Sequence, residues 1–123
     1  VVSRGAPDPT LCVYVAVDDG VVVGTAQLHA NRGGNGSHVA NASFLVAGDA
    51  GGKGIARMLA AYVMEKARGQ GYEYMQFNAV VQTNVRAVAL WQSLGFAVVG
   101  TVPNAFRHPV LGLTALHIMY RRL

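Results

Sequence analysis

The stretch with the most chemical promise spans residues 44–57, FLVAGDAGGKGIAR: an apolar strand, a glycine-rich loop, then a helix. The first turn of a helix leaves backbone N–H groups unpaired, with the positive end of the macrodipole behind them, so it can hold an anion. Gly51, Gly52 and Gly54 have no Cβ and let a phosphate approach the backbone, while Lys53 and Arg57 add positive charge. The pattern is not a Walker loop, because the GK[ST] ending is missing. Nor is it the dinucleotide GxGxxG, because Gly52-Lys53-Gly54 runs on as Ile55-Ala56-Arg57. On local grounds alone, a tight strand-to-helix turn accounts for it equally well.

A second set consists of polar side chains among apolar ones: His38, Asn41, Ser43, Asn78 and His108. Asn78 interrupts the run MQFNAVV, and a buried amide without a partner costs about 1–3 kcal/mol, so it needs a structural partner or a substrate. An amide cannot act as a general base, but it can align an amine or a carboxylate. His108 sits in Arg107-His108-Pro109; an imidazole, with its ordinary pKa of about 6.5, suits a proton acceptor, although an exposed loop explains it too. The acids between His38 and Val81 are Asp49, Glu65 and Glu73, none well placed for a base. His29 and His117 read as structural or surface residues, and no His pair has metal-ligand spacing, so no metal is expected. Cys12, the single cysteine, reads as a small apolar filler and excludes a disulfide framework.

Alternating strands and helices must carry these residues. Apolar β-branched runs at 11–17, 21–30 and 38–46 predict three strands, with Asp18-Asp19-Gly20 as a hairpin turn and 31–37 as a loop. Ile55, Met58, Leu59, Tyr62, Val63 and Ala67 form the stripe of a half-buried helix, stopped by Gly69 and Gly71. Residues 74–81 predict a fourth strand. Asn84 caps a second helix that ends near Leu94 and is closed by Gly95. Strands at 97–102 and 114–120 follow, separated by an eleven-residue loop, and residues 1–10 read as an irregular lead-in. The order β-β-β-α-β-α-β-β predicts one α+β domain over residues 1–123, a mixed and mostly antiparallel sheet with two helices.

The composition agrees. Of 123 residues 52% are hydrophobic and 13% charged, which excludes a disordered chain. No apolar run approaches the ~20 residues that cross a bilayer, and no signal-type leader is present, so a cytoplasmic setting without membrane contact is expected. The net charge of +4 is scattered, which favours a small anionic ligand over nucleic acid.

Two segments together resemble the GNAT superfamily of acetyl-CoA-dependent N-acetyltransferases. The signature R/Q-x-x-G-x-G/A aligns with Gly51-Gly52-Lys53-Gly54-Ile55-Ala56, and N-x-x-A-x-x-L-Y-x-x-x-G-F aligns with Asn84, Ala87, Leu90, Trp91, Gly95 and Phe96. The resemblance covers roughly residues 11–123 and implies a GNAT-like fold, with the parallel strands 38–46 and 74–81 splayed at the cofactor site. It implies acetyl-CoA as cosubstrate, without a metal. Leu45 and Val46 would meet the pantetheine arm, the amides from Gly52 to Arg57 the pyrophosphate, and Asn84 the lower pantetheine or phosphate region. The Val46 N–H would donate to the oxyanion. Trp91 would be either core or a platform beside the thioester, and Asn78 and His108 would border the acceptor.

Three departures qualify the match. Gly51 replaces the usual Arg or Gln, and Trp91 replaces the Tyr that often protonates the leaving thiolate. The strand and two helices that usually open the family's domain are not seen ahead of residue 11, so a truncated N-terminus is expected. The expected acceptor is a primary or secondary amine of a small molecule, amino acids and proline analogues among them, and a homodimer is compatible with this reading. The alternatives are a CoA-binding domain without turnover and a protein N-acetyltransferase.

Overall fold

The computed structural model describes residues 2–4, 11–48 and 54–123. The chain folds as two compact units, Val1–Met75 with Leu123, and Gln76–Arg122. Its elements are the expected mostly antiparallel strands and two helices, with one strand more than the sequence pattern announces.

In the first unit β1 (Val2–Arg4), β2 (Cys12–Asp18), β3 (Val21–Ala30) and β4 (Val39–Val46) lie side by side in that order, each antiparallel to the next. The irregular lead-in expected over residues 1–10 is corrected at β1, where Val2, Ser3 and Arg4 pair with Val15, Tyr14 and Val13. Three residues are too few to show alternation; the open edge of β2 makes them a strand. The β2–β3 turn is as the residues dictate: Asp19 and Gly20 both adopt positive φ, 51° and 78°, which fits the right-handed twist of a two-residue hairpin.

Helix α1 (Ile55–Gly69) packs on this sheet through Leu59, Ala60, Val63, Met64 and Ala67. The buried face is rotated from the expected stripe. Met58 is exposed, and Ala60 and Met64 are buried instead. Gly24 on β3 lets the first turn of α1 come close: a Cβ there would stand 3.4 Å from both the Ile55 and Leu59 side chains. The helix ends at Gly71, whose φ of +91° allows Tyr72 N–H to bond back to Ala67 O at 3.1 Å and Gly71 N–H to Arg68 O at 3.0 Å.

The second unit holds the rest of β5 (Tyr74–Val81), then α2 (Val85–Ser93), β6 (Ala97–His108) and β7 (Gly112–Arg122), with strand order β5-β7-β6. Its core is aromatic: Phe77 stacks on Phe96 at 4.2 Å between centroids and meets Trp91 at 4.7 Å. The chain turns from α2 into β6 by the same device that ends α1. Gly95 takes φ +93°, Gly95 N–H bonds to Gln92 O at 3.0 Å, and Phe96 N–H bonds to Trp91 O at 3.0 Å. Arg121 donates to the Leu94 carbonyl and so caps α2.

The expected eleven-residue loop is corrected to a long hairpin turned at residues 109–111. Pro103 and Asn104 read as loop formers, yet they sit in an irregularity of β6, where the register shifts between Val102 and Phe106 and Asn104 takes φ 55°. A bulge on an edge strand accepts a residue without an N–H, so the strand resumes beyond it. No helix among the described residues is long and apolar enough to cross a membrane.

Candidate functional site

The first unit presents an open helix N-terminus. Gly54 is the N-cap of α1, in the left-handed region at φ 71° and ψ 18°, with no side-chain cap. The Met58 N–H is bonded to Gly54 O at 3.0 Å, so the N–H groups of Ile55, Ala56 and Arg57 precede the helix's own ladder. No acid stands in the first turn, and a Cβ on Gly54 would meet nothing within 4 Å among the described residues. First-turn amides, the positive pole of a 15-residue helix and the exposed Arg57 together suit a phosphate. Gly51, Gly52 and Lys53 lie outside the described residues.

The strand leading to that loop separates Leu45 from Val46. Ala47 N–H donates to Val23 O at 2.9 Å, and Asn31 N–H donates to Val39 O at 2.8 Å. The odd-numbered residues of β4 are thus the ones bonded to β3, and in an antiparallel ladder the residues between them turn their backbone groups to the other edge. Leu45, opposite Thr25, therefore has its backbone engaged, while its side chain is 75% exposed. Val46, opposite Gly24, points its N–H and C=O away from β3.

In the second unit Asn78 is exposed, which corrects the expectation of a buried amide. The buried positions of β5 are Met75, Phe77 and Val80; the alternation slips at Asn78-Ala79, so both face outward. The Asn78 Oδ1 accepts from Gln76 Nε2 at 2.8 Å. Gln76 went unnoticed in the sequence, where a glutamine in an apolar strand draws no attention; its spacing of two from Asn78 was the available signal. Asn84 caps α2 as expected, its Oδ1 accepting from Ala87 N–H at 3.2 Å, which leaves the NH2 as its donor toward any ligand. Trp91 is buried, 7% exposed, in the Phe77–Phe96 cluster, which favours core over platform.

His108 ends β6 and is not in a loop. Its Nδ1 accepts from Val110 N–H at 3.1 Å and Leu111 N–H at 3.0 Å. With that nitrogen accepting, the neutral ring carries its proton on Nε2 and has no lone pair left for an amine proton.

The remaining polar residues have local duties. His29 Nδ1–H donates to Ala30 O at 2.7 Å, Asn41 Nδ2 donates to Asn31 Oδ1 at 3.1 Å, and His117 shares a 2.9 Å bond with Thr101. His38 makes an edge contact with Tyr74, and its carbonyl accepts from Glu73 N–H at 2.9 Å. Glu65 pairs with Arg68 at 3.1 Å on the helix surface. Cys12 and Tyr14 both accept from Gln70 Nε2 at 3.4 Å. Burial, with Cys12 beside it, pushes the Tyr14 phenol up to about 12. Among the described residues no cluster of His, Cys, Asp or Glu has the makings of a metal site.

Comparison with known proteins bears on this geometry. The acetyltransferase (GNAT) family model matches residues 3–96. The N-acetyltransferase aca1 of Schizosaccharomyces pombe is 32% identical over 105 residues, 85% of this chain and 50% of its own length. The chain thus spans half the length of that curated relative. A GCN5-related N-acetyltransferase from Kribbella flavida is 51% identical with a TM-score of 0.90, over 97% of this chain and 71% of its own. The structure of yncA from Salmonella typhimurium with its cofactor acetyl-CoA is 27% identical with a TM-score of 0.81, over 92% of this chain and 65% of its own.

Proposed function

The chain belongs to the acetyltransferase (GNAT) family, and from that premise we propose that it moves the acetyl group of acetyl-CoA to the nitrogen of a small, amino-acid-like amine in the cytoplasm. The observation that carries the reading is the uncapped, acid-free start of α1 behind a strand whose last residue, Val46, turns its N–H away from β3. The amides of Ile55, Ala56 and Arg57, with Gly51, Gly52 and Lys53 ahead of them, hold the pyrophosphate. The exposed Leu45 side chain lies along the pantetheine. The relative solved with its cofactor acetyl-CoA supports acetyl-CoA as the ligand.

When bound, acetyl-CoA supplies a thioester carbonyl. The amine nitrogen bonds to its carbon, the C–S bond breaks, the thiolate leaves with the electron pair, and the amine gives up one proton. Val46 N–H donates to the carbonyl oxygen as charge builds there, which is where an enzyme's fixed dipoles contribute most. Asn78 aligns the acceptor. With His108 committed to its turn, water takes the amine proton. A thiol with a pKa of about 8.5 leaves tolerably without a phenol to protonate it, so Trp91 in place of a tyrosine is no obstacle.

Thiol release from acetyl-CoA is the test, across free amino acids, imino acids and peptides, beside calorimetric titration of CoA. Saturable CoA binding with release on amino or imino acids supports the reading. Release on peptides alone moves the acceptor to protein N-termini. CoA binding with no release makes the chain a binding domain, and no CoA binding removes the site.

A further inference from the structure

We propose that the chain associates head to tail with a second copy of itself, the acidic, apolar end of one copy's β2–β3 hairpin seating on the basic, apolar end of the other's β6–β7 hairpin. This contact is independent of acetyl transfer and uses neither the start of α1 nor Asn78.

Charge is divided unevenly along the chain. All six acids lie within residues 1–75, where six Lys and Arg balance them, while residues 76–122 hold four arginines and no acid. The net charge of +4 therefore belongs to the second unit. In the first unit the β2–β3 turn carries the one adjacent acid pair of the sequence, Asp18-Asp19, and no Lys or Arg stands between Arg4 and Arg32. Both acids are exposed, and so are Val17, Val21 and Val22 around them, Val21 by 62%. The β6–β7 turn is the counterpart. Arg107 is exposed opposite Leu113, and Phe106, Val110, Leu111 and Leu113 all meet solvent, Val110 by 84%. Among the described residues neither Asp19 nor Arg107 has an ion pair.

Apolar side chains exposed together beside charge of one sign suit a contact with a partner of the other sign. The hairpin ends of two copies can meet in three ways. Like ends set Asp against Asp or Arg against Arg. Only unlike ends bring opposite charges together over apolar side chains, so repulsion disfavours both symmetric pairings and complementarity selects the third. Two hairpin ends bury less than the ~1,200 Å² of a stable interface, so the association is weak, with a Kd on the order of 100 µM. A head-to-tail pair keeps one acidic and one basic end at its extremities, where further copies can add.

Sedimentation velocity of the 123-residue chain, without CoA, from about 10 µM to about 1 mM reads the association. The sedimentation coefficient should rise with concentration, and about 0.5 M NaCl should weaken self-association about fivefold. Arg107→Glu should weaken it about tenfold, and so should Asp18→Asn combined with Asp19→Asn. Asn tolerates the left-handed backbone at position 19, φ 51°, so the hairpin is kept, as circular dichroism should show. Leu111→Ser, at an exposed site, should weaken association about threefold at an unchanged melting temperature. Mixed one to one, the two charge variants should associate again and stop at dimers, because one retains the acidic end and the other the basic end. A chain that stays monomeric over the whole range overturns the proposal and leaves the two ends to a different partner. Association that both charge variants retain overturns it too, as does a mixture no more associated than its parts.

Discussion

The two helices of this chain end alike and begin differently. Both stop on a left-handed glycine, Gly71 or Gly95, with the next residue's N–H bonded back into the last turn. At their starts the resemblance ceases. Asn84 folds its side chain over the first turn of α2 and satisfies Ala87 N–H, whereas Gly54 offers α1 nothing but space. A cap of the Asn84 kind adds about 1 kcal/mol to a helix. A side-chain cap is present at one helix start and absent at the other. The proposed anion site at α1 rests on that asymmetry more than on glycine content.

The largest effect should come from closing the open start. Gly54→Asp places a carboxylate in the left-handed N-cap, a conformation Asp tolerates better than most residues, where it accepts from the first-turn amides and repels a pyrophosphate. CoA affinity should fall by about a hundredfold or more, with the circular dichroism spectrum retained. Undiminished affinity would mean that the amides of Ile55 to Arg57 are not the anion site. A step smaller, Gly24→Val leaves the amides untouched and shifts their platform. A Cβ at Gly24 just reaches Ile55 and Leu59, and the two further methyl groups of valine overpack, at a typical cost of 1–3 kcal/mol. CoA affinity should drop about tenfold with a lowered melting temperature; a loss of stability alone would show that the first turn of α1 does not need its seat on β3.

Asn84 refines the comparison at the other helix. Removing the cap with Asn84→Ala should lower stability by about 1 kcal/mol, about 4 °C in melting temperature for a domain of this size. Asn84→Asp keeps an accepting oxygen at a helix start and so keeps the stability, but it loses the NH2. If Asn84 also touches the cofactor, CoA affinity falls about threefold in Asn84→Asp while the melting temperature holds. Equal CoA affinity in wild type and Asn84→Asp would confine Asn84 to its structural role.

What could be read from the sequence divides along the same physical line. Helix boundaries at Asn84, Gly71 and Gly95 were legible because capping is a local, residue-specific matter. The hairpin at Asp19-Gly20 was legible for the same reason, and so was the start of α1 behind the glycines, although the glycines alone left a plain strand-to-helix turn equally open. Features set by distant partners were not. β1 exists because β2 offers an edge, and β6 runs through Pro103 because a bulge there costs it no ladder bond. The outward turn of Asn78 depends on which face Phe77 buries with Trp91 and Phe96. The element Asn84–Phe96, matched as a family motif, proves to be a helix cap, a helix stop and an aromatic core in one stretch. Much of its specificity is therefore architectural, and Trp91 departs from the motif at a position that packing can accommodate. Gln76 was invisible because its meaning lies in one hydrogen bond.

His108 gives the smallest expected effect. The sequence alone allows it to be a proton acceptor, and a positioned general base is worth about 10²–10⁴ in rate. The structure gives its Nδ1 to the N–H groups of Val110 and Leu111, which makes it the fastener of the β6–β7 turn. Replacing it with alanine should therefore change kcat by less than about threefold, well below the smallest loss of a base. The pH dependence of kcat/KM for the acceptor should keep its shape, because the rise with pH then belongs to the neutral fraction of the amine. The expected damage is to the turn, a melting temperature lower by a few degrees from two lost backbone partners, each worth about 1 kcal/mol. His108→Asn separates these contributions, since its side-chain oxygen can accept the turn amides but cannot take a proton at neutral pH. Recovered stability with unchanged kcat confirms the fastener. A hundredfold loss of kcat in both variants, with the alkaline rise flattened, would return the proton to His108 and require the turn to open during each cycle.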